Sequence, residues 1–169
     1  SSNNANAVKR ALIGFPEPLP PGTQVHLAMR LGTDLNAPVW RLQFSTAPDF
    51  RVVQLGCVKQ RYPVPDGGVR YGPETALACP ADRPALAVEF SAAPAHFDQV
   101  ALRRLVQLSP PVADLELRVA DRLVILTGSF EPNQPYKLEI GHAPIADKDR
   151  RLMRDPGGTS VHALFEQPT

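Results

Sequence analysis

The chain has 169 residues, 43% of them hydrophobic, and a formal net charge of +1. That apolar content suits one large or two small domains and excludes wholesale disorder. The near-neutral balance excludes the basic footprint of a nucleic-acid or membrane-surface binder, and no run approaches the ~20 apolar residues of a membrane span.

Nineteen prolines are spread along the sequence. Each removes a backbone donor and breaks helix interiors, so long helices are excluded and short strands between stiff turns are expected. Residues 1–7 are expected to be a disordered tail, either an added stretch or a mature N-terminus after removal of a signal. Residues 8–15 make a first short strand candidate, closed by Pro16-Glu17-Pro18-Leu19-Pro20-Pro21-Gly22. Val25-His26-Leu27-Ala28-Met29-Arg30-Leu31 and Val39-Trp40-Arg41-Leu42-Gln43-Phe44 alternate apolar and polar, as half-buried strands do. Trp40, the only tryptophan, is expected in the core, with an exposed binding ring as the alternative.

A third run covers residues 50–58. The loop 63–72 is centred on a hairpin-like Asp66-Gly67-Gly68. Leu86, Val88 and Phe90 point one way along a strand at 85–90. Residues 98–108 read either as a strand, with Val100, Leu102, Val106 and Leu108 on it, or as one helical turn through Val100, Arg103, Arg104 and Leu105. A hairpin is expected between 115–119 and 123–128, around Ala120-Asp121-Arg122. Tyr136-Lys137-Leu138-Glu139-Ile140 and Val161-His162-Ala163-Leu164-Phe165 complete the set.

Strands recurring every ~8–12 residues between turn signals predict an all-β sandwich. Leu42-Gln43-Phe44-Ser45-Thr46-Ala47-Pro48 echoes Val88-Glu89-Phe90-Ser91-Ala92-Ala93-Pro94. Together with the break at Cys79-Pro80-Ala81-Asp82-Arg83-Pro84, this suggests two small β domains in tandem, over 8–82 and 83–168.

Cys57 and Cys79 are the only cysteines, and their spacing fits no zinc motif. They are either a disulfide or two buried thiols. The loop-rich, extracytoplasmic look of the chain favours the bridge.

His26, His96, His142 and His162 are scattered, and no metal or cofactor is expected from them. Ser109 and Ser129 lack a nucleophile-elbow surround. Asp147, Asp149 and Asp155 are interleaved with Lys148, Arg150, Arg151 and Arg154, so a solvated turn is expected there and not a calcium loop. No enzymatic constellation results. Two basic pairs, Arg103-Arg104 and Arg150-Arg151, are candidates for docking an acidic protein face.

The order of features over 83–168 resembles the Ig-like, macroglobulin-type domains of bacterial alpha-2-macroglobulins. It runs from Val88-Glu89-Phe90-Ser91 through the Pro110-Pro111 pair to Ile125-Leu126-Thr127-Gly128-Ser129-Phe130. Pro135-Tyr136-Lys137-Leu138-Glu139-Ile140 follows, then a turn resembling D-x-x-G-x-x-L at 145–152, then the strand at 161–165. Tyr136 resembles a tyrosine placed at the entry of a strand, with its ring buried and its hydroxyl near backbone acceptors.

The resemblance implies a non-catalytic module of a periplasmic or extracellular protease-trapping protein. Its partners would be neighbouring domains of a larger chain and, through the full-length protein, proteases. The reactive Cys-x-Glu-Gln of that family is absent: Cys57-Val58-Lys59-Gln60 has lysine where the glutamate belongs. The alternative is an Ig-like binding module of an adhesin or a cell-wall-associated protein.

Overall fold

Short extended segments satisfy their backbone polar groups by pairing with one another. In the computed structural model, which describes residues 12–95, 99–155 and 158–167, such pairing accounts for most of the regular structure. The chain divides into two compact units, Ser1–Pro48 and Asp49–Thr169.

In the first unit, β1 (Gln24–Arg30) and β2 (Val39–Ser45) form an antiparallel ribbon. The register sets Val25 opposite Phe44, Leu27 opposite Leu42 and Met29 opposite Trp40. Alternation therefore gathers six apolar side chains on one face. Trp40 is 66% exposed, which corrects its expected place in a core. Of the strand expected at 8–15, residues 8–11 lie outside the described residues, as does the tail at 1–7. Residues 12–15 are irregular.

The second unit holds the sandwich. In chain order its elements are β3 (Val52–Cys57), β4 (Arg61–Pro63), β5 (Leu77–Pro80), β6 (Ala85–Phe90), α1 (Gln99–Leu105), β7 (Val106–Ser109), β8 (Glu116–Ala120), β9 (Leu123–Thr127), β10 (Pro135–Ile140) and β11 (Ser160–Glu166). One sheet has the order β4-β3-β6-β9-β8 and is antiparallel throughout. The other has the order β5-β11-β10-β7, with only the β5–β11 pair parallel.

Leu55, Leu86, Val88, Val124 and Leu126 on the first sheet share one buried core with Leu138, Val161, Ala163 and Phe165 on the second. Phe50 stacks on Phe90 at 5.3 Å, and Phe130 packs 4.5 Å from Phe165. The all-β sandwich expected from the strand spacing is what the residues build. The stretch 98–108 contains both alternatives in succession, α1 and then β7; Asp98 itself lies outside the described residues.

The boundary expected at 82/83 falls inside this unit, and the division comes instead after Pro48. The reason is pairing. β3 precedes 82/83 but pairs with β6 beyond it, and β5 pairs with β11 near the end of the chain. The echoing segments consequently sit in unlike settings, one on the edge-exposed ribbon and one at the centre of a five-stranded sheet. The Asp66-Gly67-Gly68 turn is present, with positive φ at both glycines, but no hairpin strand returns from it. The chain beyond runs beside β11 instead, where Ser160 N–H donates to Val69 O and Tyr71 N–H donates to Ser160 O.

Cys57 and Cys79 are bridged, their Cα atoms 5.5 Å apart. The bond joins β3 of one sheet to β5 of the other, so it staples the two layers at one end of the core. Gly56 beside it has φ +149°, and a Cβ there would collide with the Leu77 side chain. Only glycine lets the strand turn Cys57 inward at that point.

Candidate interaction surfaces

The turn after β10 is organised by an acid. Asp147 is 1% exposed, which corrects the solvated turn expected here. Its Oδ1 accepts from Asp149 N–H at 3.0 Å and from Arg151 N–H at 2.8 Å. Its Oδ2 accepts from Arg151 Nε at 2.7 Å and lies 2.6 Å from Arg151 Nη2. Burial pushes the carboxyl pKa up. The backbone N–H, side chain and charge of Arg151, with the Asp149 N–H, outweigh it and hold the group below its ordinary value.

Arg150 adopts φ +63° inside this turn. The two arginines of the pair are thus used differently: Arg151 is committed to Asp147, and Arg150 stands in solvent. The three aspartates do not converge. Asp155 lies 3.3 Å from His142 Nε2 and Asp149 lies on the outside of the turn.

The other pair divides too. Arg103 Nη2 donates to Leu115 O at 2.8 Å, and Gln99 Nε2, four residues earlier on α1, donates to Leu117 O at 3.1 Å. Leu117 lies on β8, the edge of the five-stranded sheet, and Leu115 immediately precedes it. Arg104 remains exposed.

Tyr136 opens β10, and its hydroxyl oxygen accepts from Glu131 N–H at 2.8 Å. The hydroxyl meets backbone, but as an acceptor from an N–H and not as the donor to a backbone acceptor that was expected. Ser129 donates its hydroxyl to Asp114 at 2.6 Å, and its backbone N–H reaches the same carboxylate at 2.9 Å. These side-chain and backbone bonds from Ser129 hold the Asp114 pKa down. His162 Nδ1 lies 2.8 Å from Tyr71 O, a contact in which the ring nitrogen is the donor. His26 projects from the polar face of the ribbon, and His96 lies outside the described residues. Among the described residues no three His, Cys, Asp or Glu side chains gather as metal ligands.

One open depression, of about 510 Å³, lies on the outer face of the five-stranded sheet. Val58, Pro80, Ala85 and Ile125 give it an apolar floor, and Lys59, Arg83 and Arg118 stand around it with Asp82. The neighbouring row across the sheet is Gly56, Ala87 and Ile125, in register. Small side chains in the middle of the face thus leave the hollow. Sequence reasoning did not find this surface, because its three cations lie 24 and 35 positions apart along the chain (83 − 59 and 118 − 83) and no local motif joins them.

No protein-family model matches the chain, and a search of curated proteins finds no match. No helix among the described residues is long and apolar enough to cross a membrane. A disulfide between the two sheets is compatible with an extracellular or periplasmic setting.

Proposed function

We propose that the chain is a non-catalytic structural and interaction module of a bacterial alpha-2-macroglobulin-like protease-trapping protein, with an Ig-like sandwich as its body. The observation that carries the reading is the turn at Asp147. Aligned on Asp147, the motif D-x-x-G-x-x-L sets its glycine on Arg150, and the leucine expected to close the turn is Leu152. Arg150 takes the left-handed conformation that glycine favours, whereas Leu152 faces solvent and does not serve as the motif's buried leucine. The left-handed position at Arg150, where the motif has glycine, is what supports the reading.

The Tyr136 hydroxyl supports the same reading. A tyrosine near the start of a strand, bonded to backbone a few residues upstream, is a corner used by Ig-type sandwiches. Fold alone does not give function, so the protease-trapping role rests on the resemblance. Within that role this module positions neighbours. Cys57 is held in the disulfide, and no thioester can form from it.

The test uses the purified chain with several proteases, each assayed on a large and a small substrate. Both activities are expected to be unchanged and no adduct to form. Protection confined to the large substrate, or a covalent adduct prevented by methylamine, would place trapping chemistry in this chain and overturn the reading.

A further inference from the structure

The hollow on the outer face of the five-stranded sheet combines an apolar floor with a charged rim. Its floor is apolar, at Ala85 and Ile125, and its rim carries Lys59, Arg83 and Arg118. Several cations of the sandwich have carboxylate partners, Arg51 with Asp66, Arg61 and Arg122 with Glu89, and Arg154 with Asp49, while others such as Arg104 and Arg150 stand singly in solvent. Among the described residues, no ion pair or side-chain hydrogen bond engages Lys59, Arg83 or Arg118. Among the described residues Asp82 is the one acid lining the hollow, with Glu116 opposite Thr127 at its margin, so three cations over an apolar floor still exceed the acids beside them.

We propose that this hollow binds an extended acidic segment of a neighbouring domain or protein, with the pattern acid-x-apolar-x-acid. In an extended chain, residues i and i+2 face the same way about 7 Å apart. An apolar side chain seated on Ala85 and Ile125 therefore carries a carboxylate on each side toward the cationic rim. Nucleic acid fits less well, because no aromatic ring lines the hollow for a base to stack on. The inference rests on the reading of the chain as an interaction module, but the two fail separately. Loss of peptide binding removes the hollow as a site and leaves the protease assay above untouched.

The test is fluorescence anisotropy with a labelled peptide Ser-Glu-Ser-Leu-Ser-Glu-Ser and its glutamine counterpart. Binding of the glutamate peptide is expected with a dissociation constant on the order of 100 µM, weakening as salt rises. Arg83→Glu with Arg118→Glu should weaken it at least about tenfold. Lys148→Gln, on the exposed turn, should not change it. No binding up to millimolar peptide, equal binding of the glutamine peptide, or an undiminished signal in the double variant overturns the proposal. So does tighter binding of an oligothymidylate of equal charge, which would mark a general anion patch.

Discussion

Asp147 was visible in the sequence as one aspartate among several charges, and nothing local distinguished it from its neighbours. Its role comes from burial against the sandwich, where a single carboxylate accepts two backbone N–H groups and a guanidinium. Because its folded pKa lies below the unfolded value, its contribution is present above the unfolded pKa. It is lost as pH falls through the folded one, that is, below about pH 4. Asp147→Asn should therefore lower stability by about 2–4 kcal/mol at pH 7. Urea unfolding at several pH values should show that deficit shrinking in acid; an equal deficit at pH 7 and pH 2.5 would refute the ion-pair account. Arg150 makes the opposite prediction. A left-handed arginine costs about 1–2 kcal/mol, and glycine returns part of that gain as unfolded-state entropy. Arg150→Gly should thus raise stability by about 0.5–1 kcal/mol, measured in the same unfolding experiment. A loss would mean that the arginine side chain itself holds the turn.

Among the elements, strands with clean period-two patterns were legible at nearly their true limits: β6, β9, β10 and β11. Their alternation is enforced because one face is buried in the shared core. The elements that escaped notice were β4 and β5, three and four residues long and each containing or ending in proline. β5 exists because β11 pairs with it in parallel, with Leu77 beside Ala163, and no local signal reports a partner so distant. The α1 helix was ambiguous for a related reason. Its purpose lies across space, where Gln99 occupies a carbonyl of the edge strand β8 and Arg103 one just before it. An open strand edge invites pairing with other chains, and covering it is a common protection. Gln99→Ala with Arg103→Ala should cost about 1 kcal/mol per bond lost. Sedimentation velocity should show the variant more self-associated than the parent chain. Unchanged sedimentation would mean that β8 is protected by something other than these two side chains.

For the molecule as a whole, composition and proline spacing were enough for an all-β sandwich, but not for its boundary. The punctuation at 79–84 looked like a linker because it is rich in turn residues. It is instead a tight connection between two sheets, β5 to β6, with the disulfide beside it. Joining Cys57 to Cys79 restricts the unfolded chain and should contribute about 3 kcal/mol. Alkylation without reductant should label neither cysteine, and Cys57→Ala with Cys79→Ala should lose that stability while keeping the strand spectrum. The apolar face of the first unit's ribbon was likewise legible as alternation but not as exposure, since a pattern cannot say whether a second layer covers it. The proposed role, a positioning module within a protease trap, is tested most directly on the longer protein that the proposal requires. That protein, incubated with a protease, is expected to leave cleavage of a small substrate intact while suppressing cleavage of a large one. Equal effects on both substrates, or none on either, would contradict the account.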